Sequence, residues 1–374
     1  VTLNGNTLTT GDASNTSFAG VMSGAGALTK QGSGTFTLSG ANTYTGATTV
    51  NAGTLSLAGG AAIANTGAVV LANVAGATLN LAASQTIGNL SGGGATGGNV
   101  TLNGNTLTTG DASNTSFAGV LSGTGALTKQ GSGTFTLSGA NTYSGGTTIK
   151  AGTVSGTTSA AAFGTGAITI GDSTGSANAT LNGGFAGTHT NAITVASGNT
   201  GVASITSSAN STFSGAVTLS SHDLKLAPAA SSLTLSGGVT GTGNLTLASS
   251  GAGVITLSGA SVNNTGTVTN SGTGAASNVI SAAVGTNVTG ITENSTTSAL
   301  TVSGALTVNA GGTTLANNNA SGAALLTVTG GVSGSGNLVL NNNSAIANGI
   351  TLSGARSEEH RRGQECRSRW STEH

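Results

Sequence analysis

The first 155 residues of this chain contain nearly the same sequence twice. Residues 1–56 align without a gap to residues 100–155, at an offset of 99 residues, and the two copies differ at seven positions. The differing pairs are Met22/Leu121, Ala25/Thr124, Thr45/Ser144, Ala47/Gly146, Val50/Ile149, Asn51/Lys150 and Leu55/Val154. Repetition of this kind is typical of chains that stack similar structural units on one another, so a single globular core is not expected.

Each copy contains short stretches in which apolar residues alternate with Thr or Ser. We predict strands at 27–30, 35–38, 48–50 and 54–57, because a period of two places every second side chain on one face. Segments rich in Gly separate these strands and suit tight turns. Strands this short cannot bury an apolar face alone. The sequence therefore predicts an all-β fold in which coils of about 20–25 residues stack into a parallel β-solenoid.

Weaker copies of the pattern continue beyond the second full repeat. Gly241-Thr242-Gly243-Asn244-Leu245-Thr246-Leu247 and Gly334-Ser335-Gly336-Asn337-Leu338-Val339-Leu340 share its Gly-x-Gly start and alternating strand. We therefore expect one repeat architecture over residues 1–355, with near-identical units at 1–56 and 100–155 and degenerate repeats over 156–355.

Charged residues are rare before residue 356. Nine of the 18 Asp, Glu, Lys and Arg residues fall after Ala355, as does the one cysteine, Cys366. No basic patch for nucleic acid exists in the repeats, and no apolar run approaches the ~20 residues of a membrane-spanning helix. The start of the chain lacks the basic and apolar segments of an export signal, so we expect any such signal to lie outside this sequence.

The repeats resemble a known family. The segment Ser23-Gly24-Ala25-Gly26-Ala27-Leu28-Thr29-Lys30-Gln31-Gly32-Ser33-Gly34-Thr35, continued by Leu38-Ser39-Gly40-Ala41-Asn42-Thr43-Tyr44, is similar to the passenger-associated repeat of autotransporters, and it recurs from Ser122. The resemblance implies a right-handed parallel β-helix passenger. It implies export by the protein's own C-terminal outer-membrane β-barrel and display on the cell surface. We do not expect that barrel within this sequence, because its aromatic residues are too few for the girdles of a barrel.

No residue is predicted to be catalytic, to bind a cofactor or to hold a metal. Gly171-Asp172-Ser173 resembles the nucleophile block of one esterase family, yet no suitably spaced Asp-x-x-His accompanies it, so a solvent-facing turn is expected. Side chains of His222 and Asp223 should point to opposite faces of a strand, and Asp223 should form a surface ion pair with Lys225. Glycosidases need a pair of carboxylates. Because residues 1–355 contain few acidic residues, we do not expect such a pair.

Three functions are compatible with these features. The first is a structural stalk of a secreted passenger that supports export and surface display, with an adhesin-like role toward host or cell-surface glycans or proteins. The second is a scaffold attached to a catalytic domain, an esterase or a protease, outside this sequence. The third is a solenoid whose Thr-rich face binds a regular surface such as glycan or ice. The Thr-x-Thr arrays at Thr35 and Thr134 are expected to be too irregular for ice.

Residues 356–374 differ in composition from everything before them. They contain the chain's five arginines, its one cysteine and its one tryptophan. We predict a non-native or disordered tail, the translation of a sequencing adapter joined to a truncated gene. The alternative is a charged cap over the last coil, a role that solenoids require.

Overall fold

A computed structural model describes residues 1–355, and the predicted tail at 356–374 lies outside the described residues. The described chain is all-β, with strands of two to six residues. It divides into two compact units, residues 1–185 and a second that begins at Ala186. Each unit is a parallel β-solenoid, as predicted.

The first unit contains twenty strands. In chain order they are β1 (Leu8–Thr10), β2 (Thr16–Phe18), β3 (Leu28–Lys30), β4 (Thr35–Leu38), β5 (Thr48–Val50), β6 (Thr54–Leu57), β7 (Ala68–Leu71), β8 (Thr78–Leu81), β9 (Gln85–Thr86), β10 (Asn89–Gly92), β11 (Asn99–Thr101), β12 (Thr106–Thr109), β13 (Thr115–Phe117), β14 (Leu121–Ser122), β15 (Ala126–Lys129), β16 (Thr134–Leu137), β17 (Thr147–Ile149), β18 (Gly152–Thr157), β19 (Ile168–Ile170) and β20 (Ala179–Gly184). The four strands predicted in the first copy are all present, with one boundary shifted by one residue.

These strands form three parallel sheets that are the three faces of a coil. Sheet I contains β1, β3, β5, β7, β10, β13, β16, β18 and β20; sheet II contains β2, β4, β6, β8, β11 and β14; sheet III contains β9, β12, β15, β17 and β19. Each strand pairs with strands one coil away, so Leu8 lies beside Leu28 and Val154 beside Leu181. Across the strand pairs, coils therefore span 19 to 27 residues, close to the predicted length.

The second unit contains strands β21 to β40. In chain order they are β21 (Thr188–His189), β22 (Ile193–Val195), β23 (Ala203–Ser207), β24 (Ser211–Phe213), β25 (Val217–Ser220), β26 (Leu224–Leu226), β27 (Leu233–Leu235), β28 (Val239–Thr242), β29 (Leu245–Leu247), β30 (Ile255–Leu257), β31 (Gly266–Asn270), β32 (Asn278–Ile280), β33 (Val288–Glu293), β34 (Leu300–Val302), β35 (Leu306–Thr307), β36 (Thr313–Asn317), β37 (Leu326–Val328), β38 (Val332–Ser333), β39 (Leu338–Asn342) and β40 (Ile350–Leu352).

Three faces recur in this unit. Sheet IV contains β23, β26, β29, β31, β33, β36 and β39, and sheet V contains β21, β24, β27, β30, β32, β34, β37 and β40. The third face begins with β22, β25 and β28 and ends with the pair β35 and β38. Isolated bridges from Val239 through Val262 and Val284 to Leu306 connect these two parts of the third face.

The core of each unit is a set of apolar stacks that run from coil to coil. On sheet II, Phe36, Leu55, Leu79, Val100 and Leu121 occupy successive register positions, and all are buried. Alternate residues on the same strands are half-exposed Thr, Ser and Asn. Burying a side chain of this size contributes about 1.5–3 kcal/mol, and a strand obtains that contribution once its neighbours in adjacent coils are in place.

Glycine is required where the corners of neighbouring coils touch. A Cβ atom on Gly34 would lie 2.2 Å from the carbonyl oxygen of Ser14, and one on Gly133 would lie 2.1 Å from that of Ser113. The preceding Gly32 has a φ of +72°, which L residues rarely adopt. The turn predicted at Gly32-Ser33-Gly34 is therefore fixed both by backbone conformation and by the close packing of coils.

The two sequence copies lie on different faces of the first unit. Strands β3 and β4 of the first copy belong to sheets I and II, whereas their counterparts β15 and β16 belong to sheets III and I. The chain visits sheets II, III and I in turn, as β8, β9 and β10 show. An offset of 99 residues is thus not a whole number of coils, and the second copy is turned by one face about the axis of its unit.

We predict that Leu137→Asp disrupts the coils around β16. Leu137 is fully buried and pairs in register with Phe117 and Gly156, so an unpaired carboxylate there should cost about 3–4 kcal/mol. Hydrogen exchange of residues 134–138 should accelerate strongly. The matched control is Thr136→Asp, whose side chain points outward from the same strand and should leave exchange nearly unchanged. Equal protection in the two variants would contradict the assigned inward face.

Candidate functional site

The polar groups singled out in the sequence do not assemble into a catalytic site. Ser173 lies in an exposed turn, where its backbone N–H donates to Asp172 Oδ1 at 2.8 Å, and Asp172 pairs with Lys150 at 3.5 Å. Within residues 1–355, no three His, Cys, Asp or Glu side chains are placed to hold a metal ion. No helix in this range is long and apolar enough to cross a membrane.

The expected ion pair between Asp223 and Lys225 is not formed. The Asp223 carboxylate accepts hydrogen bonds from the backbone N–H and the side-chain amide of Asn244 in the next coil, at 2.7 and 3.3 Å. His222 Nδ1 lies 2.8 Å from the carbonyl oxygen of Asp223. Both residues precede β26 instead of lying within a strand, so the alternation argument did not apply to them. These side chains line a shallow groove with Lys225 and Thr246.

The lysine of the repeat motif is buried in both copies. Lys30 is 1% exposed, and its Nζ donates to the carbonyl oxygens of Gln31, Gly32 and Ala52 at 2.8, 2.9 and 3.1 Å. Lys129 makes the same three bonds in the second copy. The three donors of each ammonium are matched by three carbonyls at a coil corner, which joins that corner to the next coil.

Burial also changes the acidity of these lysines. Loss of solvent lowers the pKa of Lys30, and lowers the pKa of Lys129 to about 8, while the nearby Asp12 and Asp111 carboxylates act in the opposite direction. The sequence contained a signal for this burial. Because Lys30 follows the buried Leu28 by two residues, the period of two puts both on the inner face.

The asparagine of the motif connects three coils. Asn42 Oδ1 accepts the backbone N–H of Met22, and Asn42 Nδ2 donates to the carbonyl of Ala62, both at 2.7 Å. Asn141 repeats both contacts on another face, with Leu121 and Ala162. Each Asn therefore bridges the coil before it and the coil after it, inside the solenoid.

The tyrosine of the motif is buried, contrary to the expectation that its hydroxyl faces water. Tyr44 and Tyr143 are both 0% exposed. Tyr44 Oη lies 2.7 Å from Thr48 Oγ1, and Tyr143 makes the equivalent contact with Thr147. Desolvation raises the pKa of both phenols. The prediction was wrong because Tyr44 lies outside a strand, where no alternation indicates which way a side chain points.

A regular row of hydroxyl groups lies on sheet V, which the sequence analysis did not identify. One outward residue from each strand lies in register with the next: Thr188, Thr212, Thr234, Thr256, Val279, Thr301, Thr327 and Thr351. Seven of these eight residues are threonine, and Val279 has the same shape with a methyl in place of the hydroxyl. Successive members are separated by the sheet spacing of about 4.8 Å.

A second row runs beside the first, two residues further along each coil. It consists of Thr190, Ser214, Ser236, Ser258, Ser281, Ser303, Thr329 and Ser353. Backbone N–H groups continue the ladder here, since Ser236 donates to Phe213 and Ser258 donates to Leu235, each at 2.9 Å. We call the two rows together the hydroxyl face. No charged or aromatic residue belongs to it.

Sheet III of the first unit has one such row and not two. Sheet III has a row of outward threonines at Thr86, Thr108, Thr128, Thr148 and Thr169. The positions two residues further along are Gly88, Gly110, Gln130, Lys150 and Gly171, none of which bears a hydroxyl. The second hydroxyl row of sheet V therefore has no counterpart on sheet III.

A family model described as passenger-associated-transport-repeat matches the chain at residues 28–57 and 127–155. These two matches contain the buried Lys30 and Lys129, the Asn residues that bridge coils and the buried Tyr residues. No curated protein matches the chain. No solved structure matches it.

We predict that Lys129→Met destabilises the first unit by about 1–3 kcal/mol, because methionine fills the aliphatic space but leaves three corner carbonyls without their donor. The measurement is the free energy of unfolding of the full chain in urea. Lys150→Met is the matched control, since that side chain is 45% exposed and its ion pair contributes about 0–1 kcal/mol. Equal losses in the two variants would show that the buried ammonium does not stabilise the corner.

Proposed function

We propose that this chain, whose transport repeats and parallel β-solenoid fit the passenger stalk of an autotransporter, supports export of that passenger and holds it on the cell surface. The observation that carries the proposal is the role of the motif residues. Lys30, Asn42 and Tyr44 are buried, and each hydrogen-bonds within its own coil or to the coils beside it. The side chains that the two copies of the motif share therefore hold the coils together.

Coil-by-coil assembly is what such a stalk needs during export. A strand pairs with partners 19 to 27 residues away, so a coil can dock as soon as that length of chain is available. Each docked coil then presents backbone carbonyl acceptors and a layer of apolar side chains against which the next coil packs. Folding in this order supports movement of the chain in one direction, because a docked coil cannot slip back through a narrow pore without unfolding.

The test uses the complete parent protein in its own cells. Double substitution Asn42→Ala and Asn141→Ala should leave synthesis unchanged but reduce the amount of passenger accessible to antibody and protease on intact cells by several-fold, because two three-coil bridges are lost. Exposed Asn51→Ala and Asn65→Ala together serve as the control, since neither side chain bridges coils. A passenger that never reaches the surface, with or without the substitutions, would contradict the proposal.

An alternative is that the chain is a scaffold for a catalytic domain, an esterase or a protease, elsewhere in the parent protein. Asp172, Ser173 and His222 provide no assembled site in the described residues, so the chain itself would contribute support to that domain instead of catalysis. Esterase or protease activity in the purified chain, abolished by Ser173→Ala, would reverse this assignment.

The hydroxyl face supports a second function, adhesion to an ordered hydroxyl-bearing surface such as a glycan or ice. Short Thr and Ser side chains lose little rotamer entropy when they bind, and their row spacing is fixed by the sheet. Arrays at Thr35 and Thr134 were expected to be too irregular for ice; sheet V offers a longer row in constant register. Host or cell-surface glycans are the partners we propose for this surface, since it is uncharged and rich in hydrogen-bonding groups.

We predict that Thr256→Arg with Thr301→Arg abolishes this adhesion, because two long cations interrupt the threonine row at two places while the fold keeps its inner face. The full chain should sediment with crystalline cellulose or chitin, and the variant should bind at least about tenfold less, a loss of ~1.4 kcal/mol. Thr148→Arg, on the single row of sheet III, is the control. A thermal-hysteresis assay with the same proteins tests ice. No difference between variant and control in either assay would remove this function.

A further inference from the structure

One ionisable side chain occupies a long stretch of otherwise uncharged sequence. Between residues 226 and 355, Glu293 is the single Asp, Glu, Lys, Arg or His. An acidic residue in such a stretch would ordinarily be expected on the surface, where water solvates its charge. Glu293 is instead 0% exposed.

The backbone directs Glu293 into the interior of the second unit. It is the last residue of β33 and follows the buried Ile291 by two positions, so both side chains point inward. In register it lies between Asn270 of β31 and Asn317 of β36, which are also fully buried. The carboxyl group thus forms the middle rung of a polar stack.

Neutral groups alone hold the carboxyl. Asn270 Nδ2 donates to Oε2 at 2.8 Å, and the backbone N–H of Ser295 donates to Oε1 at 2.7 Å. Asn270 is in turn fixed by Asn278, whose Nδ2 donates to Asn270 Oδ1 at 2.9 Å. The Asn270 amide and the Ser295 backbone N–H supply dipoles here, and no cation compensates a negative charge.

No other titratable group faces this position from the elements around it. Strands β31 and β36 and the turns that follow them contain no charged residue or histidine. The other such residues described in the second unit, His189, His222, Asp223 and Lys225, belong to coils on β21 to β26. The Glu293 carboxylate is therefore neutralised by taking up a proton from water as the unit folds.

Two opposing effects act on the carboxyl. Hydrogen bonds from Asn270, Ser295 and the Leu300 backbone favour the carboxylate, whereas removal from water disfavours it. Removal from water is the larger effect and raises the pKa of Glu293 to about 7. A carboxyl in unfolded chains titrates near 4.5, so the folded unit holds a proton that the unfolded chain has released.

We propose that Glu293 is a pH-sensitive element of the second unit, which is most stable when this buried carboxyl carries a proton. The sign follows from linkage: the stabilisation is fully present below about pH 4.5 and is lost as the pH rises through about 7. Coils around β33 therefore take up a proton when they fold near neutral pH, and an acidic exterior favours their folded state.

The test compares the full chain with Glu293→Gln, which keeps the shape of the side chain and removes its titration. Urea unfolding followed at pH 5 and pH 8 should show that the folding equilibrium constant of the wild-type chain falls about tenfold or more relative to that of the variant. Taking the difference between the two proteins removes the contributions of the histidines. Hydrogen exchange of residues 288–300 locates the effect in β33 and the turn after it.

Asp223→Asn is the matched control, because Asp223 is an exposed carboxylate of the same unit and its loss should not alter the pH profile. An infrared band of a protonated carboxyl at pH 6, absent from Glu293→Gln, gives a readout that does not depend on unfolding. Parallel profiles for wild type and Glu293→Gln would overturn the proposal. So would a wild-type chain that loses stability relative to the variant as the pH falls, since the three hydrogen bonds would then outweigh burial.

Discussion

The pairing of each short strand with strands one coil away is the constraint on which this structure depends. A strand of three residues such as β3 has neither the length nor the apolar surface to be stable alone. Its hydrogen bonds and its apolar contacts both come from residues about 20 positions before or after it. Everything placed inside a coil must consequently be compatible with the same position in the coils above and below.

Polar groups inside the coils meet this requirement in different ways. Lys30 carries its charge to a corner where three carbonyls converge, so each of its donors has an acceptor. Asn42 has one donor and one acceptor aimed along the stacking direction, which suits an amide between two coils. Glu293 has only acceptors when ionised and lies among neutral dipoles. Its charge is the one least supported by its surroundings, which is why its protonation is linked to folding.

The placement of the two sequence copies shows how local these interactions are. Tyr44 with Thr48 and Tyr143 with Thr147 form the same contact, although the second copy is turned by one face. A repeat can therefore build its own corner and bridges on any face, provided that a neighbouring coil supplies carbonyls and an apolar stack. This independence is consistent with a stalk that is extended by duplication.

The sequence alone determined the strands, the glycine turns, the coil length and the family of the repeat, because each depends on residues within a few positions of one another. The predicted strands at 35–38 and 54–57 are those of the structure. The alternation of residues also indicates that Lys30 is buried on the same face as Leu28. Tertiary structure decided what depends on the alignment of separate coils. Coil lengths vary between 19 and 27 residues, so small differences in turn length decide which residues come into register. That alignment set the face on which each copy lies, brought the threonines of sheet V into one row, and enclosed Glu293 between Asn270 and Asn317.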